Sequence, residues 1–342
     1  MKNLTTPFEL HKQLPLSCQQ REFIFSSRQQ CIDILKGTDP RLLLIVGPCA
    51  IQSIDSAIEY GKRIQELQKQ VEDSYLLVMR AYIEKSRSSN QWRGFLYSHN
   101  NESVDIEAGL HRSRTLFLNL LDRQIPLCSE FVDPLFAPFF QDCLTLGMLG
   151  ARSVYSTPHR HLVSRLDLPV GIKNSLSGDI EAALHAIKVA KSQIESIAIN
   201  HEGKLALETS QGNPNTYVVL RGSVNNPNFS KEWISPLEET LDRLQIPMGI
   251  VIDCSHGNSG KCYEKQVDVF THVVESIRQK QYRLVRGLML ESFLLPSTQQ
   301  ELLTKAQTAQ EKEAIEYGAS CVDGCIDWPT TERLILHHKH FE

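Results

Sequence analysis

The chain contains 342 residues, enough for one large domain or two mid-sized domains with a proper hydrophobic core. Lys and Arg number 36 against 40 Asp and Glu, which gives a net charge of −4, and 41% of the residues are hydrophobic. These values exclude a wholly disordered chain, and the near balance of charge favours neither a nucleic acid nor an anionic membrane as a partner.

The amino terminus and the cysteines indicate a cellular location. Residues 1–14 lack the charged start and long apolar stretch that are typical of a signal peptide. The longest apolar run, residues 42–46, is far shorter than the ~20 residues of a membrane helix. Nine cysteines occur without the paired spacing of a structural zinc site. Together these features predict a cytoplasmic protein with reduced thiols and no membrane partner.

Eight short apolar segments are typical of the buried strands of a parallel sheet, because they are rich in Leu, Ile and Val and do not alternate with polar residues. In chain order they are residues 42–47, 75–82, 126–132, 148–153, 169–174, 216–222, 249–256 and 284–292. Amphipathic segments before and between them predict helices at residues 27–36, 56–72, 104–123, 134–146, 179–191, 235–244 and 266–279.

Residues 196–210 differ from the other connections, because two short alternating runs flank Glu202-Gly203 and predict a small β-hairpin insertion. Eight strand–helix units favour an α/β fold of the (β/α)8 TIM barrel type over an open doubly wound sheet. We expect residues 41–342 to form this barrel and residues 1–40 to form an N-terminal extension.

Functional side chains are expected where the strands end, because the active sites of parallel barrels lie at the carboxyl ends of their strands. A single charged residue in apolar sequence is usually half of a structural ion pair, whereas a set that converges on one face indicates a ligand site. Six cationic residues end or follow the strands, which predicts a strongly anionic substrate such as a phosphate ester carrying a carboxylate. They are Arg80, Lys85, Arg87, Arg152, Lys173 and Arg221.

A second group at the strand ends offers one thiol, one imidazole and two carboxylates, a mixed set that favours Mn, Fe, Co or Zn over Mg or Ca. Each member alone has another interpretation, since a buried cysteine is usually a packed small residue and a lone histidine can be a capping or core residue. Cys254 or Cys321 could also supply the thiol. The four candidates are Cys49, His256, Glu291 and Asp323.

Nine segments of the chain occur in the order of a known enzyme family. They are LLLIVGPCAI, VMRAYIEKSRS, EFVDP, GARSVYS, PVGIKN, YVVLRGS, VIDCSHGNSGK, LMLESFL and YGASCVDGCIDW. From about residue 34 to residue 334 the chain closely resembles the class I 3-deoxy-D-arabino-heptulosonate 7-phosphate (DAHP) synthases of the bacterial and fungal type. The resemblance implies a (β/α)8 barrel with an N-terminal extension. It also implies a metal-dependent condensation of phosphoenolpyruvate (PEP) with erythrose 4-phosphate, the first step of the shikimate pathway.

The resemblance further implies roles for individual residues. One divalent metal ion would be held by Cys49, His256, Glu291 and Asp323. The PEP site would contain Arg80, Lys85, Glu130, Ala151, Arg152, Lys173 and Arg221, and the aldose phosphate site would contain Lys85, Arg87 and Ser88. The catalytic candidates are Lys85, Glu130 and His256. We expect Lys85 either to act as a general acid on the aldehyde oxygen or to hold the metal–substrate network, with a pKa lowered by neighbouring Arg side chains. Glu130 would orient water or balance charge.

The chain departs from the family pattern on the side of the aldehyde acceptor and near the family's regulatory surface. The usual KPRT reads Lys85-Ser86-Arg87-Ser88, the usual GPCSIHD ends in Gln52-Ser53, and Tyr155 replaces an acid. These changes leave open an alternative, a paralogous synthase that couples PEP to a different phosphorylated aldose, for example in secondary metabolism.

Two hypotheses from other classes are weaker. A metallohydrolase on a barrel would need a histidine-rich ligand set, whereas His256 is the only histidine at a predicted strand end. A catalytically silent regulatory barrel would have no need of the complete metal set.

The N-terminal extension carries apolar residues that do not belong to the barrel pattern, namely Phe8, Leu10, Leu14 and Leu16. Together with the family resemblance, they lead us to expect that the extension packs against a neighbouring subunit in a homodimer or homotetramer.

Overall fold

The computed structural model describes residues 3–87, 91–98, 103–299 and 316–340. Two helices precede the first strand, α1 (Pro7–Gln13) and α2 (Cys18–Lys36), and each begins with a capping box that satisfies free backbone N–H groups. The cap formed by Ser17 and Gln20 explains why α2 begins well before the predicted residue 27. Helix α2 ends at Gly37, whose φ of +76° favours glycine.

Eight parallel strands close into a barrel, which confirms the predicted (β/α)8 fold and excludes the open sheet. The closure is visible in the first strand, where Leu44 lies opposite both Leu77 and Leu288. All eight predicted strands are present. They are β1 (Leu42–Gly47), β2 (Tyr75–Arg80), β3 (Leu127–Glu130), β4 (Leu146–Leu149), β5 (Val170–Lys173), β8 (Thr216–Leu220), β9 (Ile250–Asp253) and β10 (Val285–Glu291).

Helices cover the outside of the barrel, and their buried faces repeat at helical spacing. In α3 (Ile54–Val71), for example, Tyr60, Ile64 and Leu67 are buried. The described helices include none with the length and apolar character that crossing a bilayer requires. The others are α4 (Ile106–Leu121), α5 (Ala137–Phe140), α6 (Thr157–Arg165), α7 (Glu181–Ala190), α8 (Lys231–Arg243), α9 (Gln266–Arg278) and α10 (Trp328–His337).

The continuous helix predicted at residues 134–146 is wrong. Helix α5 is a single turn between two 3-10 turns, Pro134–Phe136 and Gln141–Cys143, and β4 already begins at Leu146. A helix through the whole segment is interrupted because Pro138 has no N–H to donate to the preceding turn. The sequence pattern also missed α1, α6 and α10, each of which is short and has a proline in its first turn.

Side chains of α2 close the amino end of the barrel. Ile34 and Leu35 belong to the same buried cluster as Leu43 and Ile45 of β1. The carbonyl of Leu35 also accepts a hydrogen bond of 2.7 Å from the N–H of Gly249, just before β9. The extension therefore contributes to the core of the barrel, and the carboxyl ends of the strands form the open end.

Strands β6 (Glu195–Ile199) and β7 (Leu205–Thr209) form the predicted hairpin as a separate antiparallel sheet. Because alternate residues share a face, Ile197, Leu205 and Leu207 lie on one side, where they are 72%, 75% and 68% exposed. The N–H of Phe8 donates to the carbonyl of His201 at 2.8 Å, so α1 is tied to the turn of this hairpin.

Candidate active site

A cleft of about 530 Å³ opens at the carboxyl end of the barrel. Five cationic side chains and two carboxylates line it, so its electrostatic field favours an anionic ligand. The carboxylates are Glu291 and Asp323, and His256 lines the cleft as well. The cations are Lys85, Arg87, Arg152, Arg221 and Lys261.

Three of the four predicted metal ligands converge at this cleft. One donor atom from each of Cys49, Glu291 and Asp323 lies within 4.8 Å of the other two. Cys49 follows β1 and Glu291 ends β10, so the pairing of these two strands brings together residues that are far apart in sequence. Asp323 comes from the segment before α10, and its Oδ2 lies 3.4 Å from the sulfur of Cys49.

His256 approaches the same carboxylates from the turn after β9. Its Nε2 lies 3.8 Å from Oε1 of Glu291, although it is not one of the three mutually close donors. Its backbone φ is +57°, in the left-handed region that is strained for a residue other than glycine. Such a conformation persists only where the surroundings enforce it, so the turn after β9 holds this ring in a defined place.

Lys85 lies between two of these donors. Its Nζ is 2.8 Å from the sulfur of Cys49 and 3.3 Å from Oδ2 of Asp323. Burial alone would lower the pKa of Lys85, but the Cys49 sulfur and the Asp323 carboxylate outweigh burial and raise it. The predicted lowering of this pKa by neighbouring Arg side chains is therefore wrong. In return, the Lys85 ammonium holds the pKa of Asp323 well below its usual range.

Arg80 ends β2 beneath the cleft and is 1% exposed. Its guanidinium donates to Oε1 of Glu291 at 2.8 Å and to the carbonyl of Pro48 at 3.1 Å. It also lies 3.8 Å from the ring centre of Tyr82. These contacts fix the carboxylate of Glu291 at the floor of the site.

Lys173 ends β5 and is also buried, with its Nζ 2.8 Å from Oδ2 of Asp253. Burial alone would raise the pKa of Asp253, but Lys173 and His256 hold it well below its ordinary value. Three of the six predicted cations, Lys85, Arg80 and Lys173, are therefore already engaged in ion pairs.

The other three predicted cations, Arg87, Arg152 and Arg221, line the cleft. The Asn174 side chain accepts from the backbone N–H of Arg221 at 2.9 Å, which anchors that residue after β8. The guanidinium of Arg87 donates to the carbonyl of Trp92 at 3.0 Å. Within the part of the chain that the structure describes, neither Arg87 nor Arg221 pairs with a carboxylate, so their charge is available to an anion.

Two predicted residues of the PEP site, Glu130 and Ala151, lie outside the cleft lining, as do the buried Cys49, Arg80 and Lys173 described above. Glu130 ends β3, and its carboxylate approaches Gly150 so closely that a Cβ at that position would collide with it. Ala151 is 9% exposed, and like Glu130 it lies outside the described cleft lining. Ser88 lies outside the described residues.

Two polar residues contribute to the site although the sequence interpretation assigned them no role in it. Asp253 contacts both Lys173 and His256, and the available signal was its place at a predicted strand end just before a candidate metal ligand. The amide of Gln52 donates to the carbonyl of Ala319 at 2.6 Å and accepts from the N–H of Cys321 at 2.9 Å. Gln52 thereby fastens the segment that carries Asp323, and no sequence pattern indicated this contact.

Known proteins are similar to this chain in both sequence and fold. A sequence model described as the DAHP synthetase I family matches residues 13–335. The chain is 37% identical to the Tyr-sensitive phospho-2-dehydro-3-deoxyheptonate aldolase of Escherichia coli (strain K12), over 97% of this chain and 91% of that protein. It is 32% identical to the phenylalanine-inhibited enzyme of the same name from Saccharomyces cerevisiae, over 97% of this chain and 89% of that protein.

A solved structure matches as well. The phospho-2-dehydro-3-deoxyheptonate aldolase from Francisella tularensis SCHU S4 superposes with a TM-score of 0.93 at 33% sequence identity. The match covers 99% of this chain and 96% of that chain, so the extension and the barrel are both included.

Proposed function

The chain belongs to the DAHP synthetase I family, and on that basis we propose that it condenses PEP, erythrose 4-phosphate and water to DAHP and inorganic phosphate. One observation carries the proposal: a cationic cleft lies directly beside a thiol, an imidazole and two carboxylates. The cationic part suits two phosphorylated substrates, and the mixed donor set suits a Lewis-acidic metal.

The four donors fit one divalent ion, and we assign them as its ligands. Cys49, Glu291 and Asp323 offer sulfur and oxygen atoms within 4.8 Å of one another, and His256 adds a nitrogen 3.8 Å from Glu291. Mn, Fe, Co or Zn would suit this mixture. When bound, such an ion would polarise the aldehyde carbonyl of the acceptor. The ammonium of Lys85, 2.8 Å from the Cys49 sulfur, supplies positive charge that favours the thiolate needed for ligation.

Arg152 and Arg221 are the proposed ligands of the PEP phosphate, because a guanidinium binds phosphate through two parallel hydrogen bonds. Both line the cleft. Arg80 and Lys173 would support the same substrate from beneath, where Glu291 and Asp253 partly balance their charge. The remaining members of the proposed PEP site are Lys85, Ala151 and Glu130.

The condensation begins when C3 of PEP attacks the aldehyde carbon, so the aldehyde oxygen gains negative charge and must take a proton. Lys85 is the proposed general acid, because its ammonium lies 2.8 Å from the Cys49 sulfur and 3.3 Å from Oδ2 of Asp323, beside the proposed metal site at which the aldehyde would be polarised. Water then adds to C2 of the former PEP, with Glu130 orienting it or balancing the charge, and the resulting hemiketal expels phosphate. Arg87 and Ser88 would hold the phosphate of the aldose.

A synthase for a different phosphorylated aldose is the second candidate. Ser86 lines the cleft in place of the proline that the family usually carries, so the backbone beside the acceptor is less constrained. Gln52 replaces the usual histidine and binds the segment before Asp323. Both differences lie on the acceptor side and leave the proposed PEP residues unchanged.

A homodimer or homotetramer is part of the same proposal. The outer face of the hairpin exposes Ile197, Leu205 and Leu207, and the neighbouring α1 exposes 58% of Phe8. Large apolar side chains exposed together on neighbouring elements are typical of a protein–protein interface. We also propose a cytoplasmic location, which the nine free cysteines support, because cytosolic proteins keep their thiols reduced.

Phosphate release from PEP, measured with a panel of phosphorylated aldoses, tests the proposed activity. We expect release with erythrose 4-phosphate, loss of release with a chelator, and a product with the mass of DAHP. A strong preference for another aldose would favour the second candidate. Absence of release with every aldose, in the presence of each of the four metals, would contradict both.

A further inference from the structure

The carboxylate of Asp253 contacts both His256 of the proposed metal site and Lys173 of the proposed PEP site. This side chain is fully buried, and polar atoms of three other residues surround its two oxygens. Oδ1 accepts from the N–H of Ser255 at 3.1 Å and from its hydroxyl at 2.6 Å. Oδ2 accepts from Nζ of Lys173 at 2.8 Å and lies 3.0 Å from Nδ1 of His256.

Only a carboxylate can satisfy this arrangement. The N–H of Ser255 and the ammonium of Lys173 are obligatory donors, and they face different oxygens of Asp253. An asparagine of the same shape would have to turn its NH2 group toward one of these donors. A buried donor would then lose its acceptor, which is unfavourable where water cannot replace it.

The same contacts determine which nitrogen of His256 carries the proton. The hydroxyl of Ser255 donates its hydrogen to Asp253, so its oxygen can only accept from Nδ1 of His256, which lies 2.6 Å away. Oδ2 of Asp253 can also only accept from that nitrogen. The network therefore requires a hydrogen on Nδ1 and places Nε2 on the side of Glu291.

The backbone around Asp253 is tied to the same turn. The side chain of Asn258 donates to the carbonyl of Asp253 at 2.8 Å, and the N–H of Lys261 donates to the carbonyl of His256 at 2.7 Å. These bonds close the turn that contains the left-handed conformation of His256. The ring therefore has one orientation in which Asp253 can accept its Nδ1 hydrogen.

We propose that Asp253 is a positioning residue. It holds the His256 ring with Nδ1 protonated and Nε2 facing the cleft, and its ion pair with Lys173 keeps the carboxylate in place. The proposal rests on the proposed function, in which Nε2 of His256 is a metal ligand. Carboxylates that orient a ligating histidine in this way typically change metal affinity by about 10- to 100-fold when removed.

Two measurements on the full-length protein test this role. The first is the affinity for Mn²⁺, measured by titration calorimetry on metal-stripped protein, for wild type and for Asp253→Asn. The second is the ¹⁵N NMR signature of the His256 ring in metal-free protein, assigned with a His256→Gln variant. The ring signature reports the proton position directly, which a general loss of stability or of negative charge would not alter in a defined direction.

We expect Asp253→Asn to weaken Mn²⁺ binding by about 10- to 100-fold and to remove the defined Nδ1-protonated signature. The matched control is Asp142→Asn, which breaks an unrelated ion pair, that of Asp142 with Arg114, and should change neither readout.

Unchanged Mn²⁺ affinity in Asp253→Asn would overturn the proposal, provided that wild type binds Mn²⁺. Failure of wild type to bind Mn²⁺ would instead contradict the metal site of the proposed function. If Asp253→Asn does not fold, the wild-type spectrum alone decides, because a neutral His256 ring with its proton on Nε2 would overturn the proposal and a ring with a proton on Nδ1 would support it.

Discussion

The Nζ atom of Lys85 lies 2.8 Å from the Sγ atom of Cys49, so the proposed general acid contacts a proposed metal ligand. Burial raises the pKa of the Cys49 thiol well above its ordinary value, and the Lys85 ammonium opposes that effect. A change at either residue should therefore affect both metal binding and proton transfer.

Replacing Cys49 by alanine should abolish metal-dependent turnover while the fold is retained. Loss of an outer partner of a metal ligand already lowers affinity or activity by about 10- to 100-fold, so loss of a ligand itself should cost at least that much. Phosphate release and metal content, measured together, check this prediction.

Cys254→Ala is the matched control for the thiol, because Cys254 is a buried cysteine directly after β9 and its sulfur faces the carbonyl of Ile252 at 3.9 Å. It should retain its metal and most of its activity. Equal activity of Cys49→Ala and wild type would mean that the ligand assignment is wrong.

Arg221→Ala should impair the use of PEP far more than the use of the aldose. Arg221 lines the cleft without a carboxylate partner among the described residues, so its charge is free to bind phosphate. A lost charge-assisted hydrogen bond of about 1.5–3 kcal/mol corresponds to a rise in the KM for PEP of roughly 10- to 100-fold. Steady-state kinetics with each substrate varied in turn provide the measurement.

Arg87→Ala is the counterpart of Arg221→Ala, since Arg87 is assigned to the aldose phosphate. It should raise the KM for the aldose and leave that for PEP nearly unchanged. If Arg221→Ala raised only the KM for the aldose, the division of the cations between the two substrates would be refuted.

Glu84 should make the protein less stable as the pH rises. It is 4% exposed, accepts from the hydroxyl of Tyr97 at 3.3 Å, and burial raises its pKa to about 8. The unfolded chain, with a pKa of about 4.3, loses this proton at a lower pH than the folded chain does. The free energy of unfolding should therefore fall between about pH 4 and pH 8, by at most ~1.4 kcal/mol per pH unit from this group.

Glu84→Gln imitates the protonated acid and should remove this pH dependence. The free energy of unfolding should be measured with urea at pH 5.5 and at pH 8. Relative to wild type, the variant should be more stable at pH 8 than at pH 5.5 by up to about 3 kcal/mol. The exposed Glu239→Gln serves as control and should follow wild type. If the free energies of unfolding of Glu84→Gln and wild type changed equally with pH, the raised pKa of Glu84 would be refuted.

A charge on the outer face of the hairpin should disrupt assembly. Leu207 is 68% exposed and lies directly opposite Ile197, which is exposed on the same face. Leu207→Glu would bury an unpaired charge in any interface formed there, so sedimentation velocity should show a smaller species than for wild type. Lys204→Glu, at the exposed turn, should leave the assembly intact. Wild type that sediments as a monomer would contradict the prediction.

The sequence predicted the barrel because its strands are buried on both faces. β1 was predicted with its observed limits, since the uninterrupted apolar run of residues 42–46 is followed by Gly47 and Pro48. The predicted limits of β4, residues 148–153, were wrong, since the strand runs from Leu146 to Leu149. Gly147 lies inside it, where a Cβ would approach the Phe131 ring to 2.5 Å. That tertiary contact requires a small residue at position 147. In the local sequence pattern, however, a glycine indicates the end of a strand.

The site was predicted only in part, for a similar reason. The expectation that functional residues meet at the carboxyl ends of the strands was correct for Cys49 and Glu291, because it depends on topology alone. It could not reveal that Arg80 lies beneath the cleft in an ion pair, nor that Lys85 faces acidic groups instead of other cations. Those features depend on the direction of each side chain, which the sequence pattern does not specify.

A crystal structure with Mn²⁺ and PEP, examined by anomalous scattering of the metal, tests the central claim most directly. We predict one Mn²⁺ peak within bonding distance of Cys49, His256, Glu291 and Asp323, with the PEP phosphate on Arg152 and Arg221. A metal peak elsewhere, or PEP bound away from these guanidinium groups, would contradict the proposed active site.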